Sequence, residues 1–212
     1  MKRVGDKDQY TMTDLFKDKA QDWDQRPIPA QISFGVSEAI KSKVELHPKL
    51  KVMDFGAGTG LVSSQIAPYV SELVAVDISQ SMLDQLVQKP ELKDKVKIKC
   101  QDLLEVPLEE DFDLIISAMA LHHVEDTRSI FNRFFEHLTP NGALALADLD
   151  SEEGDFHPEG IEGVFHHGFD REALGRIAKE VGFVDVTFET ATTVNKGERA
   201  YPIFLCTARR PS

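Results

Sequence analysis

Three glycines alternate behind a carboxylate in the run Val52, Met53, Asp54, Phe55, Gly56, Ala57, Gly58, Thr59, Gly60. The mostly apolar residues 51–55 suit a strand buried on both faces. The glycines let the backbone bend sharply and approach a ligand where a Cβ would collide. That chemistry is nucleotide binding by main chain at a strand-to-helix turn. A dinucleotide fingerprint wants a glycine where this chain has Leu61 and normally lacks an acid at the position of Asp54, so the spacing disagrees with NAD on both points.

A second acid, Asp77, lies 17 residues after Gly60 at the end of another apolar run. A carboxylate there can accept hydrogen bonds from both ribose hydroxyls, or it can simply cap the following helix. His122 and His123 follow a fourth apolar run, and an imidazole can take a substrate proton near neutral pH. His157, His166 and His167 occupy a segment with four glycines and no clear periodicity. Adjacent side chains point apart in extended chain and no carboxylate or cysteine spacing completes a site, so no metal is expected.

The elements that must hold these residues follow from periodicity. Thr13 caps a predicted helix that carries Leu15, Phe16, Ala20 and Trp23 and is broken by Pro27 and Pro29. A second helix is predicted over 30–44, with Ile32, Val36 and Ile40 on one face. Strands at 51–55, 73–76, 96–100, 112–117 and 143–148 then alternate with helices at 61–68, 79–88 and 126–138, which predicts a parallel sheet. The fifth strand is expected to start after a turn at Pro140, Asn141 and Gly142. A helix over 170–181 and strands at 184–190 and 202–208, joined by a polar turn at Asn195, Lys196 and Gly197, complete the chain. The expected organisation is one domain over 1–212: a helical cap over 1–48, a core over 49–150, a substrate-side loop over 151–169, and a helix and hairpin over 170–212. Trp23 and Tyr10 of the cap could close over a ligand or serve as packing anchors.

The pattern D-x-G-x-G-x-G resembles the first motif of the class I, Rossmann-like S-adenosylmethionine-dependent methyltransferases, in their small bacterial-type form, and the segments at 74–77, 100–103 and 112–123 match in order and spacing. The resemblance covers roughly residues 50–150 and implies a doubly wound α/β fold whose mostly parallel seven-stranded sheet inserts its last strand antiparallel, with helices on both faces. It implies S-adenosylmethionine as cofactor. Asp54 would organise the glycine loop and face the methionine ammonium, directly or through water, and Gly56, Ala57, Gly58 and Gly60 would admit the cofactor. Asp77 would take the ribose, Ile78 would lie on the adenine, and Asp102 with the Leu103 N–H would address the adenine edge. Ala118 would border the methionyl part. Leu121, His122 and His123 would border the methyl, where a histidine lines the pocket or acts as a base; His167 is a further catalytic candidate from the loop.

Composition narrows the acceptor. With 24 basic and 36 acidic residues the formal charge is −12, and the chain supplies no dense basic block for phosphates, so no nucleic-acid partner is expected and a neutral or cationic small molecule fits better. No Asn or Asp followed by Pro-Pro and an aromatic, and no Pro-Cys, stands after the fourth strand; both absences argue against methylation of nucleic-acid bases. Cys100 and Cys206 imply no disulfide framework. Polar residues 1–8 and the lack of a long apolar run make the cytoplasm the default expectation, with no membrane and a monomer or weak homodimer. The resulting expectation is methyl transfer to an oxygen, nitrogen, sulfur or carbon nucleophile. The alternatives are a protein or RNA acceptor, a non-catalytic cofactor-binding subunit, and an NAD-dependent oxidoreductase.

Overall fold

The structure, a computed structural model, describes residues 14–158 and 160–212. Its seven strands are β1 (Lys51–Phe55), β2 (Glu72–Asp77), β3 (Val96–Cys100), β4 (Phe112–Ala118), β5 (Leu138–Leu149), β6 (Val184–Lys196) and β7 (Arg199–Arg209). They form one sheet in the order β3-β2-β1-β4-β5-β7-β6. The first five are parallel, and β7 inserts antiparallel between β5 and β6. This is the expected doubly wound α/β sheet. Chain order reverses between β1 and β4, and in such sheets ligands bind in the crevice at the carboxyl ends of the strands flanking that reversal.

Helices cover both faces because successive strand residues point to opposite sides. On one face Val52, Ala75, Leu114 and Ile116 pack with α1 (Pro27–Lys43), α2 (Leu61–Ile66) and α3 (Gln80–Leu86), through Ile32, Val36, Ile66 and Leu83. On the other, Met53, Val74, Ile115 and Leu144 pack with α4 (Thr127–His137) and α5 (Arg171–Val181), through Phe131, Phe134 and Leu174. Side-chain caps start three helices: Ser79 accepts from Met82 N, Asp126 from Ser129 N and Asp170 from Ala173 N. No described helix is long and apolar enough to cross a membrane.

Three local expectations are corrected. The helix predicted from Thr13 is a series of turns followed by a 3-10 helix, Ala20–Gln25; Thr13 itself, like Tyr10, lies outside the described residues. Tertiary contact overrides the helical pattern here, since Asp14 gives one oxygen to Phe16 N and the other to the N–H and hydroxyl of Ser81. Pro27 and Pro29 do not lie in a break before a helix at 30 but open α1 themselves, because the first turn of a helix needs no N–H from those residues. β5 begins at Leu138, directly after α4. The Pro140, Asn141, Gly142 stretch is an irregularity within it, with Asn141 at φ +66° and the register with β4 slipping between Phe112 and Leu114.

Candidate active site

The glycine turn follows β1 and bends through left-handed backbone at all three glycines, with φ of 67°, 55° and 80° at Gly56, Gly58 and Gly60. The N–H groups of Gly56 and Ala57 donate to Val76 O, which fastens the turn to β2. A Cβ on Gly56 would lie 2.2 Å from Ala120 Cβ, and one on Gly60 would press into Leu86, so both are enclosed by protein. A Cβ on Gly58 would meet no atom within 4 Å; this point of the turn faces open space, as a cradle for a ligand requires.

Asp54 is buried at 2 % exposure and accepts from Ser63 Oγ at 2.6 Å. Burial pushes its carboxyl up to about 7 against the pull of the Ser63 bond, and the nearby Asp77 charge adds to the rise. Asp77 accepts from Gly58 N at 2.7 Å and from Ser79 N at 2.8 Å, so one carboxylate joins the turn to the start of α3. Burial raises its pKa as well, opposed by those N–H groups. Ile78 beside it is 46 % exposed. Asp102 accepts from Leu104 N at 2.8 Å, a local turn bond that leaves the carboxylate partly exposed, while the Leu103 side chain is buried.

β4 ends at Ala118, and Met119 adopts φ +57°, its N–H donating to Ala147 O on neighbouring β5. A non-glycine residue held there is backbone strain at a strand end, and it redirects the chain into the Leu121–His123 turn. His122 is 1 % exposed. Its N–H donates to Asp148 Oδ2 at 3.1 Å, and its Nδ1 lies 2.8 Å from Asp148 Oδ1. Its Nε2 is buried and has no hydrogen-bond partner among the described residues, nor does Nε2 of His157. The His122 ring centroid is 4.1 Å from that of His123 and 4.9 Å from that of His157. Burial holds His123 and His157 down to about 4, so both are neutral at neutral pH.

The N-terminal segment and the loop over 150–169 close this cluster. Phe16 stands edge-on to His123 at 5.5 Å and to Trp23 at 6.0 Å, and His123 Nδ1 lies 2.5 Å from Gly163 O. A Cβ on Gly163 would strike Leu15. Asp24 accepts from Thr59 Oγ1 at 2.5 Å and pairs with Lys89, tying the same segment to the glycine turn. Trp23 therefore packs as an anchor within this cover.

His122 and His123 stand together in the turn that follows β4. The structure separates His167 from them: its side chain is 63 % exposed and turns to Glu152 and Gly154, whereas His157 joins the cluster. Asp148 was missed. The signal for it was present, an acid at the carboxyl end of the strand beside β4, but only strand order makes the two neighbours. Among the described residues, no group of three His, Cys, Asp or Glu side chains is placed to hold a metal ion.

Known proteins resemble this arrangement in sequence and in fold. A family model described as a methyltransferase domain matches residues 52–142, from β1 through the histidine turn to the start of β5. The chain is 34 % identical over 135 residues to an uncharacterized methyltransferase of Schizosaccharomyces pombe, covering 56 % of this chain and 48 % of that protein. It is 29 % identical over 177 residues to phosphoethanolamine N-methyltransferase 1 of Zea mays, covering 76 % and 34 %. The chain thus spans between a third and a half of these curated relatives. The fold superimposes on the N-methyltransferase NodS from Bradyrhizobium japonicum, solved with S-adenosyl-L-homocysteine, at a TM-score of 0.71 and 18 % identity over 96 % of this chain and 98 % of that one. The glycine turn thus lies at the switch point of a sheet with this fold, near the start of the stretch that matches the methyltransferase domain.

Proposed function

We propose that this protein transfers the methyl group of S-adenosylmethionine to a small-molecule nucleophile. The observation that carries the reading is the open cradle at Gly58 beside the buried Asp54 and the half-buried Asp77. An acid whose pKa stands near 7 keeps its proton easily in the empty site and releases it when a cationic group arrives, so Asp54 suits the ammonium of the methionyl part. Asp77, each of whose oxygens has lone-pair capacity left beyond its one N–H bond, suits the ribose hydroxyls. Gly56, Ala57, Gly58 and Gly60 supply the backbone cradle, Ile78 an apolar face for adenine, Asp102 and the Leu103 N–H its polar edge, and Ala118 the wall at the methionyl part. The cofactor, when bound, supplies a methyl already activated by its sulfonium. The protein's own task is then to align the acceptor and exclude water.

The histidine cluster, shut beneath Phe16 and residues 150–169, supports a small acceptor over a protein or RNA, which would need an open surface at this point. The net charge of −12 favours a neutral or cationic one. Relatives named for N-methylation support an amine, beside others named for O-methylation of malonyl-[acyl-carrier protein]. Incubation with methyl-labelled S-adenosylmethionine and a metabolite panel tests this. Label should pass to a small amine; transfer only to protein or RNA would replace the reading.

A further inference from the structure

The Asp148 carboxylate receives three donors at once. Oδ2 accepts from His122 N at 3.1 Å, and Oδ1 accepts from Leu149 N at 2.7 Å and lies 2.8 Å from His122 Nδ1. Both side chains are 1 % exposed. An ionised carboxylate has only acceptor capacity, so the imidazole must put its proton on Nδ1 to face it. The opposite nitrogen, Nε2, is then a bare lone pair, and it is the atom left without a partner among the described residues. A histidine kept only for packing would not leave such an atom, since an unsatisfied buried polar atom is destabilising.

We infer that Asp148 is a positioning residue, which fixes His122 as the Nδ1–H tautomer and so reserves Nε2 for an N–H or O–H hydrogen of the methyl acceptor. This rests on the proposed methyl transfer and narrows its substrate class to protic nucleophiles, amines or alcohols, against carboxylates and other acceptors that bring no hydrogen. The proton step balances. The acceptor's N–H or O–H bond breaks, its electron pair stays on the nucleophile, and the proton goes to Nε2. His122 becomes an imidazolium that still donates Nδ1–H to Asp148, whose negative charge compensates it. The rings packed on His122, those of His123 and His157, are neutral at neutral pH and offer no competing charge.

The test reads the tautomer directly, by 15N NMR of histidine-labelled protein at pH 8 with S-adenosylhomocysteine bound, using His122→Gln to assign the signals. The expected spectrum shows His122 protonated at Nδ1 and bare at Nε2. A proton on Nε2, alone or with one on Nδ1, overturns the inference while leaving methyl transfer standing. Failure of S-adenosylhomocysteine to bind at all, measured first by calorimetry, overturns both. In Asp148→Asn the ring should shift towards the Nε2–H tautomer, and an unchanged tautomer would show that Asp148 does not set it. Should that variant not fold, because its amide meets three donors, the wild-type spectrum decides alone.

Discussion

The glycine turn gathers its polar contacts mostly from residues 54–79 and leaves them satisfied: Asp54 on Ser63, Asp77 on Gly58 and Ser79, Gly56 and Ala57 on Val76. The histidine cluster draws on residues 16, 122, 123, 148, 157 and 163 and, among the described residues, leaves two ring nitrogens without a partner. The first half is a preformed backbone mould that one stretch of chain can specify. The second is assembled from two strand ends and the N-terminal segment and keeps unused hydrogen-bonding capacity. A conserved chemistry at one side and a variable acceptor at the other would call for this division.

The sharpest break comes at the seam between the halves. Gly56→Val meets Ala120 and a left-handed backbone together, and should cost about 3 kcal/mol or more of stability in denaturant unfolding. Gly58→Val carries the backbone strain without the collision, so it should cost only about 1–2 kcal/mol of stability yet abolish S-adenosylhomocysteine binding in a calorimetric titration. Equal effects of the two on folding would erase the distinction between a packed and an open glycine. Asp77→Ala should weaken the same ligand by about 1–3 kcal/mol, the scale of a lost charge-assisted pair, and unchanged affinity would remove Asp77 from the site.

The two halves should also answer pH with opposite signs. Asp54 binds its proton more tightly folded than unfolded, so its share of stability is full below about 4 and is lost as pH rises to about 7. His123 and His157 bind theirs less tightly folded, so their share is lost as pH falls from about 6.5 towards 4. In unfolding curves across pH 4–7, Asp54→Asn should make stability of the ligand-free protein rise more steeply with pH, and His157→Gln should make it rise less. Slopes moving together would contradict the opposed burial of acid and imidazole. The smallest effect belongs to His167→Ala: an exposed ring outside the cluster should change stability by less than about 0.5 kcal/mol and leave turnover unaltered.

What the sequence made legible follows the same line. The strands β1 to β4, the glycine turn and Asp77 could be read because strand periodicity, glycine spacing and acid register are local. The start of α1 and of β5 could not, because Pro27 is compatible both with ending one helix and with opening the next, and Pro140 and Asn141 look like a turn until β4 pairs beside them. Asp14 left its predicted helix for Ser81, a contact 67 residues away. His157 and Asp148 reach His122 only through strand order and loop closure, so no spacing could single them out above His167.

The most direct measurement is a calorimetric titration of the intact protein with S-adenosylhomocysteine and, separately, with NAD. Saturable binding of the first and none of the second is predicted, because the turn has Leu61 where a dinucleotide fingerprint needs glycine and Asp54 where it has no acid. Binding of NAD with comparable affinity, or no heat with S-adenosylhomocysteine, would contradict the assignment of the glycine turn to this cofactor.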